Sequence, residues 1–309
     1  MRTLIVDGNN LFIRCITVVP ELDGQGSPIG GLVGSLRSLN LFANLCKPDR
    51  IFVVFDGENG SKKRRALDAN YKQGKKPIKF GKHVHVNSVD IEQNIKYQFQ
   101  RLQEYLRDLP VYIFKIDNVE ADDVIAYLSN HFKDDQKVIA SADKDFHQLL
   151  DEKTIIYKPQ KKVFYTKKNC IDEYRIHPHN FSVAKSMVGD KSDNIKGPKG
   201  FGYKTVLKHF PFLSEEKKIE LDFVFEFCKN NLEKNERYKD ILNNKDLVIN
   251  NLKLIQLENS IMGLQSIVNI KRILEQQLKL NITRFKIKTI KDGLKISEYF
   301  LDNFRRFIK

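Results

Sequence analysis

Cysteine, acidic charge and long apolar runs are all scarce in this chain. Its four cysteines, Cys15, Cys46, Cys170 and Cys228, lie far apart and form no CxxC pair. That spacing excludes a zinc ribbon and a disulfide framework, and it predicts buried, inert thiols in a reducing compartment. No stretch approaches the roughly 18 apolar residues of a membrane span, and the N-terminal "TLIVDGNN" lacks a signal peptide's layout. The expectation is a cytoplasmic protein with no membrane partner. Acids number 39 against 53 lysines and arginines, a formal net charge of +14. Such a balance points to a polyanionic partner, nucleic acid before membrane surface.

Short apolar runs recur at "TLIVD", "IFVVFD", "VYIFKI", "KVIASAD" and "TIIYKP". Helix-like segments separate them: "GLVGSLRSLNLFANLC", "DIEQNIKYQFQRLQEYLRD" and "EADDVIAYLSNHF". Continuous apolar strands between helices predict an α/β fold, a parallel sheet flanked by helices. Three of the five runs end in an aspartate: Asp7, Asp56 and Asp143. Ligands of parallel sheets sit at the carboxyl ends of the strands, so these three converge on one crevice.

The scarce acids are also crowded. Glu120, Asp122 and Asp123 fall within four positions at a helix start, where acids are favoured by the dipole in any case. At about 100° per residue, Ala121, Val124, Ile125, Leu128 and Phe132 form the buried stripe. Glu120 and Asp122 flank it, and Asp123 lies nearly opposite as a second-tier acid pointing outward. Asp145 follows Asp143 closely, and Asp190 and Asp193 stand three apart. Carboxylates packed this tightly are costly without cations. Oxygen ligands with no histidine or cysteine select magnesium or manganese over zinc, and "DKDFHQLLDE" lacks the central glycine of a calcium loop. Two such ions are the apparatus of phosphodiester hydrolysis.

Between Lys62 and Lys82 nine lysines and arginines accompany one acid, Asp68, which predicts a basic arm gripping a phosphate backbone. Further on, Gly197, Gly200 and Gly202 precede a helix expected near Tyr203, a turn that lets backbone approach phosphate. It is neither a Walker loop nor a dinucleotide fingerprint.

Taken in order, "LIVDGNNLFIR", "VFDG", "RRALDANYK", "VEADDVIA", "ASADKDFHQL" and "GDKSDNIKGPKGFGYKT" resemble the motif set of the 5′ nuclease, or flap endonuclease, family. They are most similar to its short members, the phage-type 5′-3′ exonucleases and RNases H. The resemblance covers roughly residues 1 to 210. It implies a PIN-like sheet carrying a basic arch (about 58–90) in a nuclease core of residues 1–180. A helical C-terminal domain, 181–309, would hold a helix–hairpin–helix motif at about 186–210.

The same resemblance implies roles for individual residues. Asp7, Asp56, Glu120, Asp122 and Asp143 match the acids around a first metal, and Asp145, Asp190 and Asp193 those around a second, with two magnesium ions that manganese may replace. Lys72 and Tyr71 match a Tyr-Lys pair on the arch, the lysine contacting the scissile phosphate as an electrostatic catalyst, and Arg64 or Arg65 an arginine near the same phosphate. Lys75, Lys76 and Lys79 extend the arch. Lys196, Gly197, Lys199, Gly200, Gly202 and Lys204 match the loop that holds duplex DNA, with a potassium ion. Where that loop usually reads IPG, this chain has Ile195-Lys196-Gly197.

The implied activity is structure-specific 5′ cleavage of flaps, nicks and RNA primers by a monomer working beside a clamp or single-strand-binding protein. A non-catalytic clamp for branched nucleic acid is the rival reading; it would not need eight acids at strand ends and helix starts. A haloacid-dehalogenase-type phosphatase requires a second aspartate two residues after Asp7, where Asn9 stands. Past residue 210 "SEEKKIELDFVFEFCKNNLEKNERYKDIL" reads as helix, and "SEYFLDNFRRFIK" as a final amphipathic helix rather than a partner-docking tail.

Overall fold

The computed structural model describes residues 1–74, 78, 80, 91–257 and 262–307. The five apolar runs form β1 (Arg2–Asp7), β2 (Arg50–Asp56), β3 (Tyr112–Ile116), β4 (Gln136–Ala140) and β5 (Thr154–Lys158). They pair in parallel in the order β3-β2-β1-β4-β5, and β6 (Val163–Tyr165) adds antiparallel at the β5 edge. That last strand is too short to have announced itself by pattern. β1 therefore lies between β2 and β4, and the chain reverses its direction of growth there. Such a switch point opens a crevice outside the carboxyl ends of the neighbouring strands.

Both faces are covered. Along β1, Ile5 joins one apolar cluster while Leu4 and Val6 join the other, the two-residue alternation of a strand. α1 (Gly8–Val18), α2 (Gly30–Cys46) and α4 (Ile91–Leu106) lie on the Leu4–Val6 face, and α5 (Ala121–His131) covers the Ile5 face. A short α3 (Lys62–Leu67) opens the basic segment. α1 is absent from the pattern-based expectation because it follows β1 without a linker. Asp7 ends the strand and caps the helix at once, accepting the Asn10 N–H at 3.0 Å.

The second half is helical, with α6 (Lys167–Tyr174), α7 (Phe181–Val188), α8 (Tyr203–His209), α9 (Leu221–Asn230), α10 (Glu236–Asn243), α11 (Lys245–Ile255), α12 (Leu264–Leu274), α13 (Ile282–Lys291) and α14 (Asp302–Arg305). A two-stranded ribbon, β7 (Gly189–Asp190) with β8 (Ile195–Lys196), precedes α8. Buried residues of α7, α9, α10 and α11 share one cluster with Phe52, Phe114 and Ile139 of the sheet. The expected long helix after residue 214 is two helices, α9 and α10. The terminal segment makes a 3₁₀ turn and one α-helical turn, with Phe300, Leu301 and Phe304 buried. Phe300 and Phe304 are anchors for the chain's own core, while Tyr299 stays exposed.

Candidate active site

Each predicted acid has a local reason for its position. Asp7 is 5% exposed and accepts the Asn10 N–H and, at 2.8 Å, the Ser141 hydroxyl. Asp56, at the end of β2, accepts the Ala121 N–H at 2.8 Å and so caps α5 from another strand. Asp143 stands three residues beyond β4, not at the strand's end. Ser141 still reaches the Tyr157 carbonyl, after which the chain turns and the Asp145 N–H meets the Asp143 carboxylate at 2.9 Å.

Electrostatics shows that Asp7, Asp56, Asp122 and Asp143 share one space. Burial, reinforced by Asp143 and Asp56, raises the Asp7 carboxyl to about 7. Burial and then Asp143, Asp7 and Asp56 push Asp122 well above the usual carboxylate range, with Lys72 opposing them. Like charges that cannot all ionise in a dry crevice produce this pattern. A second group stands beside the first: carboxylate oxygens of Asp145, Asp190 and Asp193 all lie within 4.8 Å of one another. The β7–β8 ribbon delivers the last two, which is why residues three apart point to one place.

Lys185, on α7, was missed by sequence reading. It is 3% exposed, pairs with Asp145, and reaches Asp190 at 2.5 Å. Despite the cost of burial, this lysine and then the Ser192 donors hold Asp190 below the usual range. Its only sequence signal is a lone cation in the apolar helix "FSVAKSMV". Asn9 and Asn10 were missed as well. Their side-chain oxygens accept the Asp56 and Ala142 N–H groups at 2.9 and 3.2 Å and bind the strand ends together.

Glu120 has a different environment. Ser61 donates to Oε1 at 2.9 Å and Lys72 pairs with the same oxygen; Arg64 reaches Oε2 at 2.6 Å and Tyr71 at 3.0 Å. Burial would raise its pKa, but Lys72 and then Arg64 overcome that and bring it down to about 2. Asp123 is corrected from outward-facing to buried, at 2% exposure, with Arg64 bonding both of its oxygens at 2.7 and 2.9 Å. The helical wheel counts only apolar residues, whereas this polar face of α5 is roofed by α3 and by α11, whose Leu254 carbonyl accepts from Arg64 at 2.8 Å. The expected phosphate contact of Arg64 is corrected on the same ground. Two buried carboxylates claim its guanidinium, leaving Arg65 as the exposed arginine of the pair.

Tyr71 is likewise buried, while the Lys72 side chain keeps 14% exposure beside the crevice. Burial disfavours the Lys72 charge, but Asp122 first, then Tyr71 and Glu120, hold the ammonium firmly protonated. Its backbone takes the left-handed conformation (φ 55) and donates to the Asp193 carbonyl at 2.9 Å, so the base of the basic segment is tied to the second acid group. Lys75, Lys76 and Lys79 lie outside the described residues.

A cleft of about 710 Å³ runs from Asn10 and Asp143 past Lys185 and Asp190 to Tyr203. Beyond it lies the glycine loop, with Lys196, Lys199 and Lys204 exposed. At Gly197 an added Cβ would stand 2.4 Å from the Val188 carbonyl oxygen, so only glycine lets α7 and β8 approach. Gly200 has φ +82 and would meet Arg237 at 2.8 Å, whereas Gly202 has φ −129 and open space around it. Positive φ is therefore present at Gly200 and absent at Gly202.

The residues present fit hard divalent cations. Seven carboxylates converge from five segments, two of them (Asp7 and Asp122) are raised by burial and then by their acidic neighbours, and no soft ligand is among them. Asp7, Asp56, Asp122 and Asp143 form one candidate set, and Asp145, Asp190 and Asp193 the other.

Comparison with known proteins agrees. The 5′-3′ exonuclease N-terminal resolvase-like domain matches residues 2–175. A 5′-3′ exonuclease from Aquifex aeolicus is 30% identical over 211 residues, 67% of this chain and 68% of the relative. DNA polymerase I of Caldicellulosiruptor bescii is 31% identical over 217 residues, which is 67% of this chain but only 24% of that polymerase. Among solved structures, the bacteriophage T5 D15 flap endonuclease in complex with DNA and metal ions superposes with a TM-score of 0.67 at 19% identity, covering 95% of this chain and 99% of the other. Human GEN1 bound to Holliday junction DNA gives 0.59 at 15% identity, covering 99% and 71%. With this fold, and with that domain spanning more than half its length, the chain belongs to the 5′-3′ exonuclease family.

Proposed function

We propose that this chain is a structure-specific 5′ nuclease that removes 5′ flaps and RNA primers by hydrolysing phosphodiester bonds in two carboxylate-held divalent-metal sites. The convergence of acids at the sheet's switch point, beside the part-buried Lys72, is the observation that carries this reading. A branched-DNA clamp has no use for a buried carboxyl pushed up to about 7 among other acids, since such a cluster costs stability and repels the phosphates it binds.

Bound divalent ions supply a polarised phosphate and a hydroxide nucleophile at neutral pH. This chain's residues prepare for both. Burial and acidic neighbours favour the protonated forms of Asp7 and Asp122, and a metal ion would displace those protons, so loading is favoured by rising pH. Asn10 and Ser141 fix the Asp7 carboxylate, and Ala121 fixes that of Asp56. Lys72, restrained by Glu120 and by its own backbone bond to Asp193, keeps an ammonium beside the crevice to meet charge that develops on the phosphate. Tyr71 and Arg64 act through Glu120 as positioning residues. Lys196, Lys199 and Lys204 are assigned to the duplex, Arg65 and the lysines of the basic segment to the strand being cut. The proposal extends to magnesium as the working ion, manganese as its substitute, potassium at the 197–202 loop, and a monomer acting beside replication proteins.

End-labelled flap, nicked and RNA–DNA duplexes incubated with magnesium, manganese, zinc or a chelator provide the test. Cleavage near the 5′ end that requires magnesium or manganese is expected. Cleavage undiminished by chelation, or tight binding of every substrate with no cleavage under any metal, would overturn the reading.

A further inference from the structure

β6 ends the sheet two strands beyond β4, and its hairpin with β5 has a surface unlike an ordinary solvated edge. Lys161 and Lys162 form the turn, Val163 is 43% exposed and Phe164 42% exposed. Lysines alone would be a common way to blunt an edge strand. Two adjacent exposed apolar side chains defeat that purpose, since they invite the contact that lysines discourage. The Phe164 ring leans on Tyr157 at a centroid distance of 5.1 Å and leaves its remaining surface to solvent. Lys162 takes φ 56, a conformation that suits glycine or asparagine better. A long cation at a strained position is a reason to look for a ligand. Among the described residues neither Lys161 nor Lys162 has a carboxylate partner.

The hairpin's position identifies the ligand. β5 pairs in parallel with β4, so its turn emerges at the same edge as Asp143. Two lysines stand between them, each over an aromatic ring on the sheet face opposite Phe164. Lys144, next to Asp143, lies 6.0 Å over Tyr174; Lys158, at the end of β5, lies 3.2 Å over Tyr165. The two rings share His147, which stacks on Tyr165 at 4.8 Å and tilts against Tyr174 at 5.6 Å. The described start of the basic segment, residues 62–74, follows β2, which lies across β1 from β5.

We propose that the β5–β6 turn binds a single-stranded stretch of the nucleic-acid substrate on the β5 side of the crevice. Lys161 and Lys162 receive its phosphates and Phe164 offers a ring on which one unpaired base stacks. Aromatic residues interleaved with lysines are the usual equipment for unpaired strands, because every base has a face to stack and every nucleotide a charge to neutralise. The inference rests on the nuclease reading, since it takes the acid crevice as the place where the strand is cut.

The test uses the full chain, with calcium in place of magnesium to slow cleavage, and a nicked duplex of fixed length. The probe carries no extension, a single-stranded extension on either strand, or the same extension made double-stranded. The parent protein is expected to bind one of the single-stranded extensions several-fold more tightly than the plain duplex. Lys161→Glu/Lys162→Glu should abolish that gain and reduce the salt slope of log Kd by about two units, one for each lost phosphate contact. Phe164→Ala should remove most of the gain with the salt slope unchanged, and Phe164→Tyr should restore it. Thermal melts confirm that each variant folds. No gain from either single-stranded extension in the parent, a gain from double-stranded extension alone, or a gain surviving in both variants would overturn the proposal. Magnesium-dependent cleavage by the parent is scored in parallel. Its presence with a failed binding result refutes the hairpin assignment alone, and its absence refutes the nuclease reading itself.

Discussion

Replacing Asp7 with asparagine should stabilise the metal-free protein, although the residue belongs to the proposed active site. In the folded chain burial and two neighbouring carboxylates raise this carboxyl to about 7, from an ordinary 3.8. An acid whose folded pKa is raised keeps its proton when the unfolded chain has already lost it, so stability falls as pH rises between the two values. Three units correspond to about 4 kcal/mol at most, fully expressed above pH 7 and absent below pH 4. At ~0.65 kcal/mol/K of unfolding entropy for this length, that is roughly 6 °C in Tm. Asparagine removes the titration and keeps an oxygen for the Asn10 N–H and a polar partner for Ser141. Thermal melts of parent and Asp7→Asn in chelator should therefore coincide near pH 4 and separate toward pH 8, with the variant higher. Saturating magnesium should narrow the gap, because an ion present at a hundred times its Kd stabilises the parent by about 2.7 kcal/mol. Equal melting temperatures from pH 5 to 8 in chelator would refute the claim that the crevice stores unpaired negative charge.

Arg64→Ala should cost about 3–5 kcal/mol in urea denaturation at pH 8, since it leaves Glu120 and Asp123 buried without their shared cation; a loss under about 1 kcal/mol would show that the network is dispensable. Glu120, lowered to about 2, contributes stability present above its ordinary pKa and lost as pH falls toward 2. Glu120→Gln should therefore be destabilised at pH 7 and approach the parent in acid. Lys72→Ala should slow single-turnover cleavage roughly a hundredfold while weakening DNA affinity far less, and normal cleavage once saturated would remove Lys72 from the chemistry. Gly200→Ala should weaken duplex binding through its positive φ and its clash with Arg237, whereas Gly202→Ala, with extended backbone and open space, should bind as the parent does. The opposite order in a fixed-salt titration would mean that the loop's backbone is not what the duplex meets.

Sheet and crevice were legible in the sequence because parallel strands buried on both faces leave unbroken apolar runs, and their ends mark a single edge. Asp7 and Asp56 could be placed from that alone. The fate of Glu120, Asp123 and Arg64 could not, because it depends on α11, which arrives almost two hundred residues after Arg64 to roof a polar face. Lys185 was hidden for a related reason. A cation in an apolar helix is visible as an anomaly, but only the β7–β8 ribbon, folding Asp190 back beside Asp145, shows what it neutralises. α1 was obscured by brevity of connection: with no linker between β1 and the helix, nothing punctuates the change of period.

The double duty of Asp7 and Asp56 makes two backbone amides into reporters. The Asn10 N–H points at one carboxylate and the Ala121 N–H at the other, so each proton lies one bond from an atom that binding would repolarise. Their nuclear resonances should move when a divalent ion enters, and with them the rate at which deuterium replaces the proton. Occupancy of the crevice could then be followed without substrate, without turnover and without any added label, residue by residue, in the resting protein.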